Sequence, residues 1–159
     1  MELADYFNSD DGSLPEIEVH FENGEEVVTG LKHLFAHGAH DVSAGGAALW
    51  MKDSGETRSF QGPSDAELVT AGVAEPFHMV LADIACAGIT LPDLGVFVSS
   101  DELVFDYRMG PNWGEREIDA LLMLLRGLRA FGGRVSATEW WGSEIAPILE
   151  HALNKLDKT

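Results

Sequence analysis

The stretch Glu16-Ile17-Glu18-Val19-His20-Phe21 alternates polar and apolar residues at every step. A segment with period 2 can bury only one side of a strand, so the chain must fold around a sheet with an inner and an outer face. The same period returns in two paired stretches. Ala47 to Lys52 and Glu56 to Gln61 flank a turn at Asp53-Ser54-Gly55, and Leu94 to Val98 and Leu103 to Arg108 flank Ser99-Ser100-Asp101-Glu102. Both read as antiparallel hairpins. Arg134 to Trp141 reads as one more strand.

Helical spacing separates these strands. Val27, Val28, Leu31, Leu34 and Phe35 follow the Asn23-Gly24 turn, and Gly38 stands where a terminating glycine belongs. Gly30 weakens that helix, and a short strand through Val27-Val28 competes with it. Ser64-Asp65-Ala66-Glu67 has capping-box spacing and predicts a helix from Asp65, interrupted at Pro76. A second apolar helix is expected from Phe77 to Ala87, stopped by Gly88. Ile118, Leu121, Leu122, Leu125, Leu128 and Phe131 mark one side of a long helix. Ser143 caps a last one with a stripe of Ile145, Ile148, Leu149, Ala152, Leu153 and Leu156, and Pro147 in its first turn is tolerable. Hairpins broken by helices predict an α+β fold: a single domain over 15–159, its mostly antiparallel sheet of hairpins covered by helices on one face. Residues 1–14 read as a polar N-terminal arm, either loosely tethered or a short turn structure.

Charge limits the function classes. Against 27 Asp and Glu stand 10 Lys and Arg, a net charge of −17. That balance excludes a binder of nucleic-acid backbone, which needs a Lys/Arg footprint. One cysteine excludes an intramolecular disulfide framework. No apolar run is long enough for a bilayer and the acidic start lacks a signal-peptide core, so a soluble cytoplasmic protein without membrane contact is expected. The charge is uneven: residues 1–80 hold 15 acidic and 3 basic residues, residues 81–159 hold 12 and 7. Ahead of Lys32 lie nine acids (Glu2, Asp5, Asp10, Asp11, Glu16, Glu18, Glu22, Glu25 and Glu26) and no base. They suit either plain solubility or a negative field that steers a basic partner.

Catalytic signals are sparse. His33 and His37, four apart, would share a helix face as two metal-binding imidazoles do, with His40 and Asp41 just beyond Gly38. Leu34, Phe35 and Ala36 follow His33, however, so the glutamate of helical zinc enzymes is missing. Histidines at a helix end also favour the dipole without any metal. Cys86, among Ile84, Ala85, Ala87 and Ile89, reads as a small buried hydrophobe, and Asp83 beside it as a structural carboxylate. The glycine pairs at 45–46 and 132–133 and the run from Gly110 to Gly114 lack the phosphate-loop pattern, and Val42-Ser43-Ala44-Gly45 lacks the first glycine of a nucleophile elbow. No catalytic dyad and no cofactor is expected. Trp113, Tyr107, Arg108 and the adjacent Trp140 and Trp141 are residue types that anchor interfaces, although tryptophans are more often core.

Asn23-Gly24-Glu25 before a helix, and Gly114-Glu115 ahead of Ile118-Asp119-Ala120-Leu121, resemble short pieces of barstar, the acidic inhibitor of a basic ribonuclease. Together they cover about a tenth of the chain, and their separation of about ninety positions exceeds that in the barstar family. The resemblance implies only the general style of small acidic bacterial immunity proteins, and no site residue carries over.

The leading expectation is therefore a non-enzymatic acidic binding protein, an immunity or inhibitor protein that occludes a basic toxin such as a nuclease. Glu16, Glu18, Glu22, Glu25 and Glu26 would meet the partner, with Trp113 or Trp141 as anchor. Glu16, Glu18, His20 and Glu22 fall on the outer face of the first strand. Two alternatives belong to other classes. One is a metal-binding protein or metal-dependent enzyme using His33, His37 and His40. The other is a structural or adaptor subunit, a homodimer through the helix from Ile118 to Phe131.

Overall fold

A computed structural model describes residues 2–9 and 11–157 of the chain. Met1, Asp10 (one of the nine acids), Lys158 and Thr159 lie outside the described residues. The fold is α+β, as the alternation of periods predicts. Its centre is a six-stranded antiparallel sheet built from β1 (Glu16–His20), β2 (His40–Asp41), β5 (Phe77–Ala82), β8 (Leu94–Val98), β9 (Glu102–Tyr107) and β10 (Arg134–Ser136), in the order β10-β1-β9-β8-β5-β2. Two small hairpins stand apart: β3 (Ala48–Met51) with β4 (Glu56–Ser59), and β6 (Ala85–Cys86) with β7 (Ile89–Thr90).

Register divides the sheet into its faces. Ile17 opposes Phe105, Val19 opposes Leu103, Val96 opposes Phe105 and Met79 opposes Val96, all on the inner face and all buried. Over this face pack α2 (Gly24–Ala36) and α4 (Glu115–Ala130), with α6 (Ile145–Asp157) behind α4. Asn23 caps α2, its side-chain oxygen accepting the Glu26 N–H at 3.0 Å, and Glu25 and Glu26 occupy the first turn where the dipole favours acids. Gly38 follows with φ 99°, a backbone conformation that a side chain would oppose. Burying each large apolar side chain of these helices contributes about 1.5–3 kcal/mol, so the helix stripes hold the layers together.

Several expectations are corrected. Residues 77–87 form no helix: Phe77, Met79 and Leu81 point inward, alternating with His78, Val80 and Ala82, and β5 becomes an interior strand between β8 and β2. Asp83 (φ 64°) and Ala87 (φ 52°) then turn the backbone into and out of β6. The strand expected over 134–141 ends at Ser136, and Thr138–Trp141 coils into the short helix α5. The capping box at Ser64 does not form. Buried Asp65 instead accepts the Gln61 N–H at 2.7 Å and Arg58 Nη2 at 3.2 Å, and the helix α3 (Ala66–Thr70) follows a 3-10 turn over Pro63–Asp65.

Of the two readings of the N-terminal arm, the described residues favour short local structure packed on the core. Its short helix α1 (Asp5–Asn8) buries Tyr6 and Phe7, and Phe7 stacks on Tyr107 with ring centres 4.7 Å apart. Aromatic area outweighs the acidic composition of that stretch. The apolar side of α4 is largely used within the chain: Ile118, Leu121, Leu122, Leu125 and Leu128 are buried, while Phe131 just beyond its end is exposed.

Candidate functional site

The outer face of the sheet carries the candidate site. On β1 it presents Glu16, Glu18 and His20; on β9, Glu102, Val104 and Asp106; on β8, Gly95 and Phe97; on β5, His78 and Val80. Arg134 is the one Lys or Arg in the six described strands, and it stands opposite His20. A cavity of about 410 Å³ opens on this face, lined by Glu16, Glu18, His20, Phe97, Glu102, Val104 and Glu139. Four of these seven residues are carboxylates and none is Lys or Arg, so the lining is strongly acidic.

Each member has a traceable origin. Period-2 alternation places Glu16, Glu18 and His20 on the same side of β1. Register sets His20 opposite Glu102 on β9, and His20 Nδ1 lies 3.1 Å from Glu102 Oε2. Glu139 comes from α5, which lies against β1. Trp141, two residues on, turns inward: its indole N–H donates to the Tyr107 hydroxyl at 3.2 Å and its ring meets Tyr6 edge-on. That inward anchor fixes α5 and with it the position of Glu139.

Glu18 is the unusual group. The residue is only 5% exposed although it sits on the outer face, and its Oε2 is buried without a hydrogen-bond partner. Burial pushes its carboxyl above the usual glutamate range, and Glu139 and Glu16 push the same way against its own backbone N–H and His20. A buried carboxylate among other carboxylates lowers stability unless something positive approaches.

Beside the cavity, Asp106 reaches across β8 to His78, with 2.6 Å between Oδ2 and Nε2. The carboxylate passes directly over Gly95, where a Cβ would collide with it. Glycine at that position lets the β9 acid and the β5 histidine meet.

The structure divides the remaining expected residues. Glu22 is exposed beyond the end of β1, and Glu25 and Glu26 serve the start of α2, so none of the three lines the cavity. Trp113 is 1% exposed, packed on Phe7 and Tyr107, its indole donating to the Arg108 carbonyl at 3.0 Å. It is a core residue, and Trp141 is partly buried, so neither expected anchor is a free surface. The exposed aromatics are Phe97, which lines the cavity, and Trp50, Phe131 and Trp140.

His33 and His37 do meet, ring centres 4.3 Å apart, and His37 Nδ1 lies 2.9 Å from the His33 carbonyl. Burial and then His37 hold the His33 imidazole below its usual range. His40 is elsewhere engaged, 3.2 Å from Asp83. Among the described residues no three His, Cys, Asp or Glu side chains are grouped to hold a metal ion. Asp41 organises the loop after β2: it accepts the N–H groups of Ser43 and Ala47 and the Ser43 hydroxyl, which itself receives the Val80 N–H. Cys86 is buried, and burial pushes its thiol upward, away from nucleophile chemistry.

Glu102, Phe97 and Glu139 were missed as site residues. Phe97 was legible from the parity of the second hairpin, since residues of one parity share a face, whereas Glu102 falls in the expected turn and joins the face only because β9 begins one residue earlier. Glu139 had no signal while 134–141 read as a strand.

Fold and site together define an α+β protein whose antiparallel sheet is covered by helices on one face and acidic on the other. Compared with protein-family models, with curated proteins and with solved structures, the chain matches none. No described helix is long and apolar enough to cross a membrane.

Proposed function

We propose that this chain is a non-enzymatic acidic binding protein that occludes a basic protein, acting as an immunity-type inhibitor of a basic toxin such as a nuclease. One observation carries the reading: the uncovered sheet face holds a cavity with four carboxylates, one of them buried with an unpartnered oxygen. Such a group is costly in the free protein and is relieved when a cation docks. The remaining acids extend the negative field, which raises the rate of encounter with a positive surface and fixes its orientation. Occlusion follows if the basic residues captured are those with which the partner holds its own anionic substrate.

The test uses the full chain as immobilised bait in lysate of its source cells, eluted with stepped salt. A parallel bait carries Glu16→Lys, Glu102→Lys and Glu139→Lys. Capture of one stoichiometric basic protein, released by salt, silenced while bound and lost from the reversed bait, supports the reading. Equal capture by both baits, or none by either, refutes it.

A further inference from the structure

The acidic cavity is built around one carboxyl that the fold itself leaves unsatisfied. Glu18 is 95% removed from solvent, given its 5% exposure, and lines the cavity with Oε2 lacking a partner. The other carboxylates reach the cavity from separate elements: Glu16 from β1, Glu102 from β9 and Glu139 from α5. Glu102 is already engaged by His20, which leaves Glu16, Glu18 and Glu139 available to a ligand. Phe97 adds an exposed aromatic ring to the lining.

We propose that this cavity is a socket for a single arginine side chain presented by the basic partner, its guanidinium bridging Glu18, Glu16 and Glu139 beside the ring of Phe97. The inference rests on the binding reading given above and specifies its central contact. Three features select guanidinium over other cations. Acceptors spread over two elements suit a flat group with five N–H donors better than a compact ammonium. An aromatic ring beside the acids favours the cation that stacks most readily. A hard metal ion needs oxygen ligands converging on one point, and among the described residues no three His, Cys, Asp or Glu side chains are grouped to hold one. The cavity of about 410 Å³ also exceeds what an ammonium alone would fill.

Protonation of Glu18 competes with the guanidinium, because only the ionised carboxylate accepts from every donor. The charged groups facing it are Glu16 and His20 on β1, Glu102 and Asp106 on β9, Arg134 on β10 and Glu139 on α5. Arginine binding at mildly acidic pH is therefore accompanied by proton release.

The full chain, with isotopically labelled glutamate, is titrated with N-acetyl-arginine methylamide and separately with the lysine analogue, following the side-chain carboxyl carbons by NMR. The Glu18 and Glu139 signals are expected to shift saturably, and the arginine analogue to bind about tenfold more tightly than the lysine one. Glu18→Gln and the exposed Glu139→Gln each weaken the arginine analogue about tenfold, whereas Glu22→Gln leaves it unchanged. Equal affinity for both analogues, or indifference to both variants, overturns the socket. If the analogue fails to bind while reversing the face still abolishes capture of a basic protein, the socket falls and the binding face stands. If the analogue binds as expected while capture survives reversal, the socket stands as an arginine site and the inhibitor reading falls.

Discussion

Replacing Glu18 by glutamine should stabilise the protein at neutral and alkaline pH. The side chains are nearly isosteric, so the change removes a charge and leaves the packing. In the native fold that charge is 5% exposed, has one oxygen without a partner and faces Glu16 and Glu139. An unsatisfied buried polar group costs about 1–3 kcal/mol, and more when charged. The glutamine amide still forgoes a hydrogen bond, so the net gain should be about 1–2 kcal/mol. At this chain length each kcal/mol raises the melting temperature by about 2–4 °C. The pH dependence carries a definite sign. The folded-state pKa of Glu18 lies above its unfolded value, so the penalty is complete above the folded pKa and disappears as pH falls to the unfolded one. Urea unfolding of both proteins from pH 4 to pH 9 follows Glu18 together with the neighbours it couples to, because the acids that do not interact with it cancel in the difference. The advantage of the variant should be largest at high pH and vanish toward the ordinary glutamate range. A difference that is flat with pH, or a variant less stable at pH 8, would refute the reasoning.

Asp41 should behave in the opposite sense. Burial opposes its ionisation, but the N–H groups of Ala47 and Ser43 and the Ser43 hydroxyl outweigh that and hold its carboxyl below the usual range. Asp41→Asn should therefore cost about 1–3 kcal/mol at pH 7, an effect that shrinks as acid protonates the wild-type group, measurable by the same unfolding series. Gly95→Ala places a methyl group against the Asp106 carboxylate and should separate it from His78, at a cost of about 1–3 kcal/mol. Denaturation midpoints and the His78 ring signals would report it, and an unchanged pair would contradict the crossing over β8. Tyr107→Phe removes a hydroxyl that donates to the Tyr6 carbonyl at 2.7 Å and receives the Trp141 indole. A loss of about 1–2 kcal/mol, with faster amide exchange in α1 and α5, is expected.

The sheet, its one-sided covering and the long helices were legible because binary pattern sets both the period and the buried face. Glu16, Glu18 and His20 could be assigned to the outer face of β1 for the same reason. Two failures concealed the rest of the site. Phe77 to Ala87 is apolar enough on both faces to pass for a buried helix, since β5 is an interior strand, and reading it so hid His78. Arg134 to Trp141 reads as one continuous strand, whereas Trp141 is pinned inward by Tyr107 and Tyr6. Such partners lie more than thirty positions away in sequence, and local propensity carries no trace of them. Burial of Glu18 is also a tertiary effect: on an isolated strand it would be a solvated acid.

The most direct measurement is the affinity of the captured basic partner for the wild-type chain and for the chain with Glu16→Lys, Glu102→Lys and Glu139→Lys, across a salt series. At about 1 M salt the screening length falls to about 3 Å, which removes steering but spares a seated ion pair. Wild-type affinity should fall steeply with salt and retain a residue at the highest concentration, while the reversed face binds weakly throughout. Matching affinities and matching salt slopes for the two chains would contradict a binding role for the open acidic face.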